Sequence, residues 1–177
     1  MLRAIEHSGK HKYFYYFFRK QSGTLQLQST NMYGFQQTIP SLEDVGPIIE
    51  AEVHSNEDTF LNIKNLQSAE PFCKVNLLID TGSNISGLDK RFIRQLQLSK
   101  YVDSAHVGGV GGMHELARYK GILYLPIFQN KALPIDVIEG DYANAPYDGI
   151  IGRDVLRFCS FTYDGWSNTF KLMAIDI

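Results

Sequence analysis

Leu77-Leu78-Ile79-Asp80-Thr81-Gly82-Ser83 is the stretch from which this chain is best read. The run from Phe72 alternates and then turns apolar on both faces at Leu77-Leu78-Ile79, the pattern of a strand entering a core. A carboxylate ending such a strand must be hydrogen-bonded or paired, because burying it unsatisfied is expensive. The glycine two residues on lets the backbone turn tightly and brings an amide near the carboxylate. By itself, Asp80-Thr81-Gly82 fits an aspartate capping a β-turn as well as it fits a reactive loop.

Outward from that stretch the chain reads as short strands. Ile48 to Val53 alternates, with Ile49, Ala51 and Val53 on one face. Gly121 to Phe128 and Ala132 to Ile138 read as strands, and Asp141 to Pro146 as a loop. Cys159 to Tyr163 and Thr169 to Met173 read as a hairpin turning at Asp164-Gly165. Leu88, Phe92 and Leu96, four apart, predict a short helix over 88–98, and Asp154 to Arg157 a single helical turn. His54 to Pro71 is polar and reads as a loop or hairpin excursion, with Phe60 to Ile63 able to add a strand. Residues 1–41 read as an extension. Aromatic Tyr13 to Arg19, the turn chemistry of Gln21-Ser22-Gly23 and alternating Thr24 to Gln28 predict a β-hairpin, chiefly for packing. Strands dominate and helices are brief, so the expected class is all-β, a small barrel or sandwich.

Composition narrows the function. At 177 residues one domain with an appendage is expected, and 44% hydrophobic against 20% charged residues argues for a folded core. With 17 Lys+Arg and 19 Asp+Glu the formal charge is −2, which offers no electrostatic footprint for nucleic acid or an anionic membrane. Tyr13 to Phe18 is far shorter than the ~20 residues of a spanning helix. Met1 to Lys12 lacks an apolar signal core, which leaves a cytoplasmic location as the default expectation. Cys73 and Cys159 stand apart and read as buried small hydrophobes, with a disulfide as the alternative.

Two further motifs follow the first. Val107-Gly108-Gly109-Val110-Gly111-Gly112-Met113 is a glycine-rich tip between extended arms. Beyond it, Asp148-Gly149-Ile150-Ile151-Gly152-Arg153-Asp154 sets an apolar pair and a glycine before a short helix. In this order the three motifs resemble the retropepsins, the retroviral-type aspartic proteases, over roughly Ile48 to Met173. The segment through Arg118, Tyr119 and Ile122 strengthens the likeness.

The resemblance implies a retropepsin-like acid protease barrel, all-β with short helices and one lobe per chain, over residues 42–177. It makes Asp80 the catalytic carboxylate. Thr81 is implied to bond across a subunit interface, Gly82 to permit the loop and offer its carbonyl to substrate, and Ser83 to support the loop. Gly108, Gly109, Val110, Gly111 and Gly112 form the flap, whose tip amide holds a water against substrate carbonyls. Ile150 lines a pocket, Ile151 lies beneath the loop, Gly152 permits close packing, and Arg153 anchors the short helix. Ile85, Val110, Met113 and Ile150 imply apolar groups flanking the scissile bond, and Asp148 at the rim a basic one. No metal or organic cofactor is implied. The partners implied are extended peptide or protein substrates and pepstatin-type inhibitors, not nucleic acid or membrane.

Asp-Thr/Ser-Gly occurs once in the chain, whereas aspartic proteolysis needs two carboxylates sharing a proton. A symmetric homodimer with one Asp80 per chain follows as the expectation. Ser83 takes a position where many retroviral enzymes have alanine. A hydroxyl donated to Asp80 would favour its ionised form and give a more acidic optimum than a Ser83→Ala variant. Asn84 stands where the retroviral pattern has aspartate, so Arg153 is expected to find Asn84, Asp154 or another acidic residue.

Other signals carry less. His7 and His11 are flanked by turn-forming residues, and His114-Glu115 lacks a second histidine four residues on, where Arg118 stands. Gly109-Val110-Gly111-Gly112 opens no helix and lacks an acidic ribose partner. Asn84-Ile85-Ser86 is a glycosylation sequon inside the proposed active loop, which disfavours eukaryotic secretion.

Overall fold

The computed structural model describes residues 11–21, 24–56, 72–109, 111–129 and 131–175. Among them, eleven strands and a few short helical turns form two sheets. No described helix is long and apolar enough to cross a membrane. The all-β expectation with brief helices is what the chain adopts.

The larger sheet carries the site. Strand β3 (Ile48–His54) pairs antiparallel with β4 (Phe72–Ile79), and β4 runs parallel to β9 (Gly149–Ile151). Next come β5 (Ser86–Asp89), β8 (Leu133–Gly140), β7 (Gly112–Tyr124) and β6 (Ser99–Gly109). A further pairing of Glu52–His54 with Ile122–Tyr124 joins β3 back to β7, closing the sheet on itself. The period-two pattern explains the burial: Ile49, Ala51, Val53, Cys73, Val75, Leu77 and Ile79 all turn into the core. Leu123, Leu125, Val137, Ile151 and Val155 complete it.

The second sheet is built from both ends of the chain. Strands β1 (His11–Gln21) and β2 (Thr24–Thr38) form the expected hairpin. Residues Met32–Thr38 of β2 pair with β11 (Thr169–Ile175), which pairs in turn with β10 (Cys159–Asp164). Phe170 and Leu172 of β11 are buried, and the Phe35 ring meets Phe170 edge-on at 5.9 Å. Cys73 and Cys159 are both free thiols, so they do not pair, and burial pushes the Cys159 thiol up to about 12.

Two local expectations are corrected. Leu88 belongs to β5, and the helix spans only Lys90–Gln95. Leu88 pairs with Gly149 and Glu139 in the sheet, and Asp89 caps the helix by accepting from the Arg91 N–H at 2.9 Å. The strand expected over 121–128 stops at Tyr124. Pro126 cannot donate to a ladder, and Pro126–Phe128 forms a 3₁₀ turn. Phe60 to Ile63 lies outside the described residues.

Candidate active site

Asp80 leaves the end of β4 with its backbone N–H donating to the Ile151 carbonyl at 3.0 Å. The parallel pairing of Leu77–Ile79 with Gly149–Ile151 therefore fixes where the carboxylate emerges. Its Oδ1 accepts from the Gly82 N–H at 2.8 Å and the Ser83 N–H at 3.3 Å. These bonds hold the carboxylate by one oxygen. Oδ2 accepts nothing from the described residues, so it is available to a partner outside them.

The loop Asp80–Ser83 is clamped from the Ile150–Asp154 segment. Arg153 donates its backbone N–H to the Ser83 carbonyl at 2.9 Å. Its Nη1 donates to the carbonyls of Thr81 at 2.8 Å and Gly82 at 2.9 Å. The expected partners Asn84 and Asp154 are thus not the ones Arg153 uses. Asp154 is engaged elsewhere, accepting from the Ser86 N–H at 3.1 Å and the Ser86 hydroxyl at 2.8 Å. Ser86 Oγ in turn accepts from the Gly152 N–H at 3.1 Å. A Cβ on Gly152 would sit 2.7 Å from both the carbonyl carbon and oxygen of Ile85, so the two segments can approach this closely only at glycine. Ile151 is fully buried beneath the loop.

Ser83 does not do what the sequence suggested. Its hydroxyl donates to the Ile85 carbonyl at 2.6 Å. A hydroxyl has one proton to give, so in this arrangement it gives none to Asp80. Thr81 is exposed, and its hydroxyl bonds to no described residue.

Gly108–Gly112, expected as a flap, falls where β6 ends and β7 begins. Gly108 faces Met113 and Gly109 faces Gly112 across the ladder, and Gly112 takes φ +102, a conformation that favours glycine. Val110 lies outside the described residues. Met113 is 71% exposed. At the base of the flap, β6 bulges between Lys100 and Ser104. Arg118 fills the space there, reaching Asp103 at 3.0 Å and Asp136 of β8 at 2.7 Å, with its guanidinium 4.6 Å from the Tyr101 ring centre. Its bond to Asp136 is the largest cause holding the Arg118 pKa above its ordinary value.

Strand alternation sorts the remaining residues. Leu77 and Ile79 point into the core, so Leu78 and Asp80 share the opposite face. Ile150 pairs with Leu78 and is half-buried on that same face. Ile85 is half-buried and lines a groove of about 960 Å³ with Asn84, Asp154 and Phe158. Asp148, expected at the rim, has partners within the chain. One carboxylate oxygen accepts from the Asn76 N–H at 2.8 Å, and the other pairs with Arg91. Its oxygens are engaged by the Asn76 amide of β4 and by the Arg91 side chain of the short helix.

Sequence reasoning missed the Ser86–Asp154–Gly152 network, the carbonyl clamp by Arg153 and the placement of Tyr142, whose phenol burial pushes up to about 12 with smaller contributions from Tyr147, Asp80 and Asp89. The serine and glycine spacing around the two motifs was visible. Which hydroxyl meets which carboxylate was not.

No family model matches the sequence, and no curated protein matches it. Among solved structures, the chain is similar to the EIAV protease complexed with the inhibitor HBY-793. The two are 23% identical over 63% of this chain and 85% of that one, with a TM-score of 0.43. It is also similar to a retropepsin-like aspartic protease from Rickettsia conorii, at 18% identity over 73% of this chain and 95% of that one, with a TM-score of 0.40. The aspartate loop, the glycine-tipped hairpin and the strand-to-helix segment follow one another along this chain in the order read from its sequence.

Proposed function

We propose that this chain is one half of an aspartic endopeptidase, active as a homodimer on extended polypeptides, with Asp80 as each chain's catalytic carboxylate. The observation that carries the reading is the Asp80 carboxylate itself: set on a strand end, fixed through Oδ1 by two loop amides, and left open at Oδ2. A carboxylate serving only as a turn cap would not require the additional clamp of Arg153 on the Thr81 and Gly82 carbonyls. The catalytic unit we assign is residues 42–177, with 1–41 an extension whose β2 joins the sheet of β11.

Two Asp80 side chains on a two-fold axis would share one proton, because adjacent carboxylates do not both ionise cheaply. The ionised one takes a proton from water as the oxygen attacks the scissile carbonyl, while the protonated one donates to the carbonyl oxygen. Collapse of the resulting diol breaks the C–N bond as a proton passes to the leaving amine. The exposed Thr81 hydroxyl is free to bond to the partner's loop. Substrate would lie extended, pairing its backbone with the flap and with the Gly82 carbonyl, while apolar side chains meet Ile85, Val110, Met113 and Ile150. A pepstatin-type inhibitor would occupy the same cleft.

Cleavage of a mixed peptide library by the wild type, lowered by about three orders of magnitude or more in Asp80→Asn, is the expected result. Equal cleavage by both proteins would sink the assignment. Sedimentation with and without a statine inhibitor should show a two-chain species that the inhibitor stabilises.

A further inference from the structure

The register of the larger sheet sets one row of residues on the Asp80 face. Leu78 pairs with Ile150, Ile150 with Gly87, and Gly87 with Ile138. Gly87 leaves a notch in that row between two isoleucines. Three side chains converge on it: a Cβ built on Gly87 would meet Tyr142 Oη at 2.5 Å, Ile150 Cγ1 at 3.3 Å and Ile138 Cγ1 at 3.5 Å. Tyr142 thus reaches from the 141–148 loop to place its hydroxyl in the notch.

Its seat is built. The Tyr142 N–H donates to Asp89 Oδ2 at 2.9 Å, and Asp89 is buried and held by the helix it caps. The ring packs so tightly on Gly140 that a Cβ there would lie 2.4 Å from Cε2. Tyr147 covers it from the other side at 5.8 Å between ring centres. Gly140 also lines a cavity of about 440 Å³ together with Val107, His114 and Leu116 of the flap arms. Among the described residues, nothing accepts from or donates to the Tyr142 hydroxyl.

Resting on the peptidase reading, we propose that Tyr142 is a specificity-determining residue that contacts substrate, its hydroxyl, seated in the notch beside Ile150, donating to a carboxamide side chain. Ile138 and Ile150 beside the hydroxyl are apolar, and a hydroxyl that donates needs an acceptor, which a lysine side chain does not have. An acidic side chain would also face the carboxylates of Asp80 and Asp89, whose charges already bear on the phenol. A neutral group with one acceptor satisfies the hydroxyl at no such cost. Burial holds the phenol protonated, so it remains a donor throughout the range in which an aspartic peptidase works.

The test compares wild type with Tyr142→Phe on peptides that differ at one position near the scissile bond, carrying Gln, Met, Glu or Lys. Wild type should favour Gln over Met by about tenfold in kcat/KM, and the phenylalanine variant should lose that ratio, its kcat/KM falling chiefly on the Gln peptide. An unchanged ratio, or a preference for Glu or Lys, overturns the inference and leaves the peptidase reading standing. No cleavage of any peptide by wild type overturns both. A second arm needs no catalysis. Gly87→Ala should lower the melting temperature, and Tyr142→Phe should restore much of that loss in the double variant, because the closest contact is with the hydroxyl. Failure of the rescue would mean that the hydroxyl is not seated over Gly87.

Discussion

The aspartate loop and the flap are both short glycine-bearing turns, yet the molecule treats them in opposite ways. Residues 80–83 are held at several points, by the Ile151 carbonyl, by the Arg153 guanidinium and by loop amides closing on Asp80. Beside the β6–β7 turn, by contrast, Met113 is 71% exposed. Support for the flap sits at its base, where Arg118 ties the β6 bulge to β8. Under the proposed peptidase reading, the carboxylate must hold its place while substrate enters past the β6–β7 turn.

That contrast can be broken or sharpened by substitution. Gly152→Ala should cost the most, about 3 kcal/mol, since its Cβ would strike the Ile85 backbone and push the clamp away from the loop. Urea unfolding would measure it, and a change below 1 kcal/mol, on the order of a surface substitution, would show that the close approach is not needed. Ser86→Ala comes next, at about 2 kcal/mol, because it strands the buried Gly152 N–H and removes a donor from Asp154. Ser83→Ala should cost only about 1 kcal/mol by losing the bond to the Ile85 carbonyl. Its pH–rate profile should overlay that of wild type, since the hydroxyl does not touch Asp80; an upward shift would restore the role the sequence suggested. Met113→Ala in the flap should change stability by less than about 0.5 kcal/mol. It should raise KM roughly fivefold with kcat held, the signature of lost apolar contact with substrate rather than of lost chemistry.

How much was legible beforehand depends on the range of the interaction. Ile49, Ala51 and Val53 were assigned to one face by alternation, and the structure buries all three. The hairpin of β10 and β11 followed from apolar runs either side of Asp164-Gly165. Leu88 was misplaced because its spacing to Phe92 and Leu96 suits a helix, while strand pairing with residues more than fifty positions away overrode it. Asp148 was expected at a rim, meeting a basic substrate group. Only the fold could bring Arg91 and the Asn76 amide to it.

The motifs themselves set an order along the chain: one aspartate at a strand end, a glycine-tipped hairpin, then an apolar pair with Gly152 and Arg153. Short-range patterning of this sort is written in neighbouring residues, so it survives without knowledge of the fold. Hydrogen-bond partners are not written there. Whether Ser83 served Asp80 or Ile85, whether Arg153 gripped a carboxylate or two carbonyls, and that Tyr142 came to rest over Gly87 were decided when distant strands packed. A polar group has several partners within reach along the chain, and only packing selects among them.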